Sequence, residues 1–424
     1  MVNVKKTINM RLCLKCGICV GICPYKSIKY DNGKICINDR KCKNCGICKK
    51  YCPGIPEGKE CEKQIQERMQ GETLKAYVGR TKNLEILKQS VSGGVATEII
   101  ESLLKEGIYD FAIGVSQRKR NTNNIMQIYD EEHNEKMPKS VYSMPSFHNV
   151  ISYISANPQK RGILIATGCV LSSMKKYIQN SPELDIQNYL LLGLFCDCTL
   201  NNNIEKYFYN YVVVKNDEIE GFEYRTKDRG GWPGNVKLYT RHNEVIIPRE
   251  ERTQIVKYFK NRRCIYCLDH MNVNADISLG DNYTNTHDDK LGTSSIIIRT
   301  EKGMSVIKKI YDKLLLYEVP YQKICDSQNL SSKITNYKYS ILLQEEKGIV
   351  INRFNKHQVE QISNLEKKNY NTELRRLTIG EKYGYIPGLI KVYFLIKGES
   401  SIFNRFLAHR DLSKERKKPL KEAM

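Results

Sequence analysis

Cysteine carries the most legible chemistry in this chain. CLKCGICVGICP at residues 13–24 returns twenty-nine residues later as CKNCGICKKYCP at residues 42–53. Each run reads C-x2-C-x2-C-x3-C-P, a spacing in which three thiolates grip one cubane iron–sulfur cluster and the fourth ligates the other. That rule assigns Cys13, Cys16, Cys19 and Cys52 to one 4Fe–4S cluster, and Cys42, Cys45, Cys48 and Cys23 to a second. Gly17 and Gly46 let the backbone fold tightly against the sulfurs, and Pro24 and Pro53 stop any helix after the last ligand. Zinc knuckles or a disulfide framework would require neither the matched glycines and prolines nor this order of eight cysteines. Cys36 and Cys61 fall outside the pattern and are expected to be ordinary buried thiols.

A second cysteine set follows in the middle of the chain. Cys169 closes ILIATGC, Cys196 closes LLLGLFC with Cys198 two residues on, and RRCIYCLDH supplies Cys264 and Cys267. A C-x2-C pair with two distant single cysteines can hold zinc or iron–sulfur, and spacing alone leaves that choice even. The paired motif in the same chain tilts it toward iron–sulfur, because the electrons it holds need a next stop. VSGGVATEII offers a different chemistry. Gly93 and Gly94 permit close backbone approach, the N–H groups of a following helix suit a pyrophosphate, and Ser92 and Thr97 add hydroxyls. A plain helix cap is the competing reading. No G-x-G-x-x-G stands at a strand–helix junction, which argues against a nicotinamide Rossmann site. In YRTKDRGGW, Arg225 and Lys227 either steer an anionic substrate or ferredoxin, or form a solvated turn anchored by Trp232. His270, and His287 beside Asp288 and Asp289, are candidate proton donors, although a lone histidine in a polar loop is more often idle.

These residues need elements to position them. Apolar residues at Val95, Ile99, Ile100, Leu103 and Leu104 predict an amphipathic helix that stops at Gly107. YDFAIGV (109–115), RGILIAT (161–167), YLLLGLF (189–195), NADISLG (274–280) and SSIIIRT (294–300) read as buried strands, with a helix over 301–317. Strands mixed with helices predict an α+β or α/β chain. Its expected parts are a small two-cluster ferredoxin-like domain over residues 1–70, a mixed α/β core over 77–335, and a basic helical extension over 336–424. Within that extension, IPGLIKVYFLIKGESSIFNRFLAHR either touches a membrane surface peripherally or packs on the core.

The 424 residues carry a net charge of +21 and sixteen cysteines. MVNVKKTINM has no apolar secretory region, and no run of about 18 apolar residues suggests a membrane span. The thiols are therefore expected to stay reduced in a cytoplasm. If three cubane clusters and a flavin dinucleotide were bound, as a resemblance to a known family implies, they would lower the charge to about +13. No nucleic-acid module accompanies the charge, so nucleic acid is not an expected partner.

From about Leu87 to Thr300 the chain resembles the family of coenzyme F420 hydrogenase/dehydrogenase beta subunits. The resemblance rests on SGGVAT (92–97), ATGC (166–169), GLFC (193–196), the C-x2-C pair followed by ADISLGD (275–281), and GTSSIIIRT (292–300). It implies that Cys169, Cys196, Cys264 and Cys267 hold a third 4Fe–4S cluster, which leaves Cys198 outside the ligand set. It also implies FAD bound near Ser92, Gly93, Gly94 and Thr97, near Ser140 and Tyr142, and near Gly280 and Asp281. Gly168-Cys169-Val170 stands where the family has Pro-Cys-Gln, and Ser140-Val141-Tyr142 where it has Ser/Thr-Lys-Tyr, with Lys139 adjacent. The expected activity is a flavin-dependent iron–sulfur oxidoreductase. It would pass electrons from the ferredoxin-type clusters through the core cluster to FAD, and on to a deazaflavin or another small acceptor. The alternative is a non-catalytic electron-transfer subunit of a larger hydrogenase or dehydrogenase. The expected partners are reduced ferredoxin or a redox partner subunit, and the small-molecule acceptor.

Overall fold

The computed structural model describes residues 3–31, 33–56, 65–115, 125–130, 140–211, 219–354 and 362–386. Its strands follow in chain order. β1 (Ile28–Asp31) and β2 (Lys34–Ile37) form an antiparallel hairpin between the two cysteine runs. β3 (Lys75–Thr81), β4 (Phe111–Val115), β5 (Met126–Tyr129), β6 (Gly162–Thr167) and β7 (Tyr189–Leu194) enter one large sheet. β8 (Ile219–Thr226), β9 (Asn235–Thr240) and β10 (Glu244–Ile247) form a separate three-stranded antiparallel sheet. β11 (Ile277–Asp281), β12 (Ser294–Ile298) and β13 (Leu314–Glu318) complete the large sheet, an eight-stranded one in the order β13-β3-β12-β11-β7-β6-β4-β5.

The middle of that sheet is parallel: β4, β6, β7 and β11 run the same way. β5, β12, β3 and β13 flank it in antiparallel pairs. Parallel strands are buried on both faces, which is why they read as unbroken apolar runs. Successive residues point to opposite faces. Leu164 and Leu191 pack on one side with the helices His148–Ala156 and Gly168–Gln179. Ile163, Leu190 and Leu192 pack on the other with the helices Val95–Lys105 and Glu301–Lys309. The mixed α/β architecture is thus the expected one, and all five apolar runs become strands of this sheet.

Two details differ from the sequence reading. The helix expected over 301–317 ends at Lys309, and Leu314–Glu318 instead pairs with β3 as an edge strand. A leucine run without helical period finds its partners in the sheet. Cys36 is exposed rather than buried, because it sits on a two-stranded hairpin with no layer over that face. Cys61 and residues 387–424, with most of the apolar C-terminal stretch, lie outside the described residues. Among those described, no helix is long and apolar enough to cross a membrane. Long helices at Ser331–Lys347 and Asn364–Tyr383 follow the sheet.

The first cysteine run is fused to the core rather than tethered. Leu14, Cys16, Ile18 and Ile22 are buried in the same apolar cluster as Phe147, Ile151 and Val170. Gly17 has a φ of 73°, and a side chain there would meet Ser146 Oγ at 2.0 Å. Only glycine allows both the backbone turn and this approach.

Candidate functional site

The two repeated motifs interleave as the spacing requires. Burial raises the Cys13 thiol to about 11, with Cys52 adding to it. Cys16 is pushed further up by burial and then by Cys52 and Cys13, and Cys19 by burial and then by Cys16, Cys52 and Cys13. Burial likewise raises Cys48, followed by Cys23, Cys45 and Cys42. The thiols therefore crowd in two fours, Cys13, Cys16, Cys19 and Cys52 against Cys23, Cys42, Cys45 and Cys48. In the more buried of the two, Cys13, Cys16, Cys19 and Cys52, four thiolates would need a cationic centre, which an iron–sulfur core would supply, while Cys45 of the other four is exposed. Donors are already aimed at the sulfurs: Asn3 Nδ2 lies 3.4 Å from Cys42 Sγ, and Ser27 Oγ lies 3.2 Å from Cys23 Sγ. Cys19 also senses Cys48, so the two fours adjoin.

The second cysteine set assembles at the carboxyl ends of the parallel strands. Cys169 lies in the first turn of the helix after β6, and Cys196 lies just beyond β7. Cys264 belongs to a short 3-10 turn, Arg262–Tyr266, which Cys267 follows. Burial raises Cys169 to about 12, with Cys267 and Cys264 next. Burial also raises Cys196, and then Cys264 and Cys169. The Thr199 amide donates to Cys264 Sγ at 3.4 Å, and Asn336 Nδ2 donates to the Cys267 carbonyl at 2.8 Å. Among the described residues no three His, Cys, Asp or Glu side chains close around a single metal ion. Cys198 is held differently: after burial, its strongest neighbours are Asp197 and Lys260. Asp197 turns to cations, accepting from Lys333 Nζ at 3.3 Å and facing Lys260 at 3.7 Å. Burial opposes its charge, but those lysines hold its carboxyl down at about 2. Lys333, only 1% exposed, was invisible to motif reading because nothing in the local sequence marks it. The first and second sets also adjoin, since Cys16 senses Cys169.

Beside the second set opens a cavity of about 610 Å³. Gly114 and Val115 of β4, Thr167 of β6, Leu194 of β7 and Gly280 and Asp281 of β11 all border it. Open α/β sheets place ligands at these carboxyl ends. Cys196, Cys198 and His270 form part of the wall. Ser92, Gly94, Thr97, Ser140 and Tyr142 line it too, with the start of the helix Val95–Lys105. Gly94 is the N-cap of that helix, with a φ of 73° and no side-chain cap, so no side chain occupies the amides of its first turn. Gly93 stands apart: a side chain there would meet Gly79 O at 2.6 Å and Ser294 N at 2.8 Å. Its smallness serves the turn's packing on β3 and β12. Ser92 Oγ donates to the Thr293 carbonyl at 2.7 Å.

Within YRTKDRGGW, Arg225 is buried and structural. It grips Asp281 through two hydrogen bonds, at 2.5 and 3.1 Å, and donates to Tyr142 Oη at 3.1 Å. Trp232 Nε1 donates to the same carboxylate at 3.1 Å. Burial would raise Asp281, but Arg225 outweighs it and keeps the carboxyl below the ordinary range. Lys227 Nζ donates to the carbonyls of Leu87 and Ser92, tying the SGG turn down. Arg252, which the sequence did not single out, lines the cavity with no carboxylate partner among the described residues; it donates to the Tyr224 carbonyl at 3.2 Å. His270 meets Gln328 at 3.3 Å through Nε2, while its buried Nδ1 has no partner among the described residues. Burial and Lys333 lower its pKa to about 4, so the ring is neutral near pH 7. His287 is remote from this wall, stacked on Tyr317 at 3.8 Å, and Asp289 pairs with Arg80.

Paired cysteine runs and a strand-end cavity define an iron–sulfur protein of the oxidoreductase type. The chain belongs to the family of coenzyme F420 hydrogenase/dehydrogenase beta subunits: residues 76–151 match its N-terminal part and residues 159–323 its C-terminal part. Residues 6–29 match the 4Fe-4S binding domain. The chain is 25% identical over 236 residues to a subunit of the F(420)H(2) dehydrogenase of Methanosarcina mazei, covering 54% of this chain and 62% of that one. It is 23% identical over 259 residues to an uncharacterised protein of Methanocaldococcus jannaschii, covering 58% and 66%. The chain thus spans less than two thirds of either relative. A chain of the F420-reducing NiFe hydrogenase complex from Methanosarcina barkeri shares the fold at a TM-score of 0.50 and 18% identity. The match covers 69% of this chain and 98% of that one.

Proposed function

We propose that the chain is a flavin-dependent iron–sulfur oxidoreductase with three 4Fe–4S clusters and one FAD, working in the cytoplasm. The observation that carries this reading is continuity. Cys48 packs in one apolar cluster with Cys19, Cys16 in another with Cys169, and Cys196 forms part of the cavity wall. Electrons entering at the repeated motif therefore have an unbroken path of cysteine sets to a ligand-sized space. A volume of about 610 Å³ falls within the ~300–1,000 Å³ of cofactor and substrate pockets.

When bound, the clusters supply one-electron steps and FAD the conversion to a two-electron reduction. The protein's own part is to hold and orient. The amides of the first turn after Gly94 suit the pyrophosphate, with Thr97 beside them. Arg225, fixed by Asp281, holds the Tyr142 hydroxyl at the cavity wall. Neutral His270 presents Nδ1 as a hydrogen-bonding group between the second cysteine set and the cavity. Arg252, which has no carboxylate partner among the described residues, gives the acceptor's site a cation, which favours an acceptor with an anionic group such as a phosphate or carboxylate. A deazaflavin, a sugar-linked intermediate and another unsaturated anionic metabolite all meet that requirement.

A second reading, a non-catalytic electron-transfer subunit, is favoured by the relatives, one named as part of a dehydrogenase and one belonging to a hydrogenase complex. Turnover separates the two. The isolated chain, given reduced ferredoxin, should reduce its own flavin and then an acceptor. Cys16→Ser with Cys45→Ser should stop flavin reduction by ferredoxin but leave reduction by a small artificial donor. A chain that holds no flavin, or whose flavin ferredoxin reduces equally well after both substitutions, contradicts the proposal.

A further inference from the structure

The outer four-cysteine set reaches the surface in unusual electrostatic company. Between Asn3 and Pro56 the chain has twelve lysines and arginines against only two acids, Asp31 and Asp39. Nearly half of the whole chain's net charge of +21 therefore sits in this one segment, more than a uniform compositional bias would place there. Asp39 is already engaged by Lys5 at 2.9 Å. Two bound clusters at about −2 each would still leave about six of the ten excess positive charges.

Lys43 lines the place where the set is exposed, and further cations flank its ligands in the sequence. Cys45 is exposed, and it shares a concavity with Cys42, Cys23, Pro24 and Tyr25. Tyr25 is itself 46% exposed, an apolar ring at that mouth. Lys26, Arg40, Lys41 and Lys43, all exposed, lie within a few residues of these ligands in the chain. An exposed aromatic ring in a segment this basic has the composition of a protein docking surface, where charge sets association rate and orientation. Among the described residues Cys45 is the exposed cluster cysteine, whereas Cys16 and Cys264 are buried and Cys196 lines the cavity.

We propose that this face docks a small acidic electron-carrier protein, and that Lys26, Arg40, Lys41 and Lys43 recognise its carboxylates. In each encounter one electron leaves the reduced carrier and enters the cluster held by Cys23, Cys42, Cys45 and Cys48. No bond forms and no proton moves at that contact, and two encounters supply the two electrons of one acceptor reduction. The inference rests on electron entry through the repeated motif, as proposed above.

The test uses the full chain, anaerobically purified, with Arg40→Glu, Lys41→Glu and Lys43→Glu combined. The binding probe is a small oxidised ferredoxin with an acidic surface, titrated at low and high salt. The rate probe is the same ferredoxin, reduced, set against a cationic viologen donor. Charge reversal should weaken ferredoxin binding about tenfold or more at low salt and flatten its salt dependence. Electron transfer from ferredoxin should slow in step, while the iron content and the viologen rate do not fall. Unchanged ferredoxin binding and an unchanged salt slope would overturn the surface but leave motif entry standing. A wild-type chain that viologen reduces and ferredoxin does not would overturn both. Loss of binding only to anionic vesicles or duplex DNA, with the ferredoxin rate untouched, would likewise overturn it.

Discussion

The Phe147 amide donates to the Cys16 carbonyl at 2.8 Å, a backbone bond that joins the first cysteine run to the α/β core. Ser146 packs on Gly17 in the same contact, so the run cannot swing as a hinged domain without breaking a buried interface. Fixed spacing between cysteine sets is what a stepwise electron path needs. Gly17→Ala should disturb both the φ of 73° and this approach. Anaerobic thermal unfolding should show a loss of about 1–2 kcal/mol or more.

The second cysteine set makes a ligand-by-ligand prediction. Cys267→Ala should remove about four irons and leave the ferredoxin-type spectrum intact. Cys198→Ala should cost no iron, because Cys198 answers chiefly to Asp197 and Lys260. Iron analysis of the two variants checks this. Loss with Cys198→Ala and retention with Cys196→Ala would exchange their roles.

Gly93 and the start of the following helix should fail differently when altered. Gly93→Ala drives a methyl against Gly79 O and Ser294 N, so its cost appears in stability. Ala96→Leu adds bulk to the first turn where it lines the cavity, and should weaken flavin retention about tenfold with iron unchanged. Flavin and iron assays after desalting separate the two outcomes.

Asp281→Asn leaves Arg225 buried without its counter-charge, a change that costs about 3–5 kcal/mol. The sign with pH follows from the direction of the shift. The folded carboxyl lies below the ordinary range, so wild type has this stabilisation in full above about pH 4 and loses it as pH falls through the folded value. The gap between wild type and variant should therefore shrink on acidification, read as the difference in melting temperature at matched pH.

Arg252→Gln should raise the KM for an anionic acceptor about ten- to a hundredfold, with little change for a neutral analogue. Flavin content should stay at the wild-type level. Loss of flavin instead would assign Arg252 to the cofactor's phosphates.

Much of this was readable in advance, for identifiable reasons. Cysteine spacing is local information, and buried parallel strands such as Leu190–Leu192 announce themselves as apolar runs. In β9, Val236 and Leu238 alternate with the polar Asn235 and Lys237, a period-two sequence pattern, and the structure buries the alternate residues. β13 was hidden because Leu314–Glu318 makes sense only opposite β3. The partners Arg225 and Asp281 are 56 residues apart. Lys333 reaches Asp197 across 136 residues. Such pairs exist only after folding, and so do the place of Arg252 on the cavity wall and the neutral ring of His270.

The account's central claim is three cysteine-held clusters leading to one flavin, and its most direct test is stoichiometry. Chain purified without oxygen should contain about twelve irons and one FAD per chain, with no zinc. Eight irons with one zinc and no flavin would contradict it.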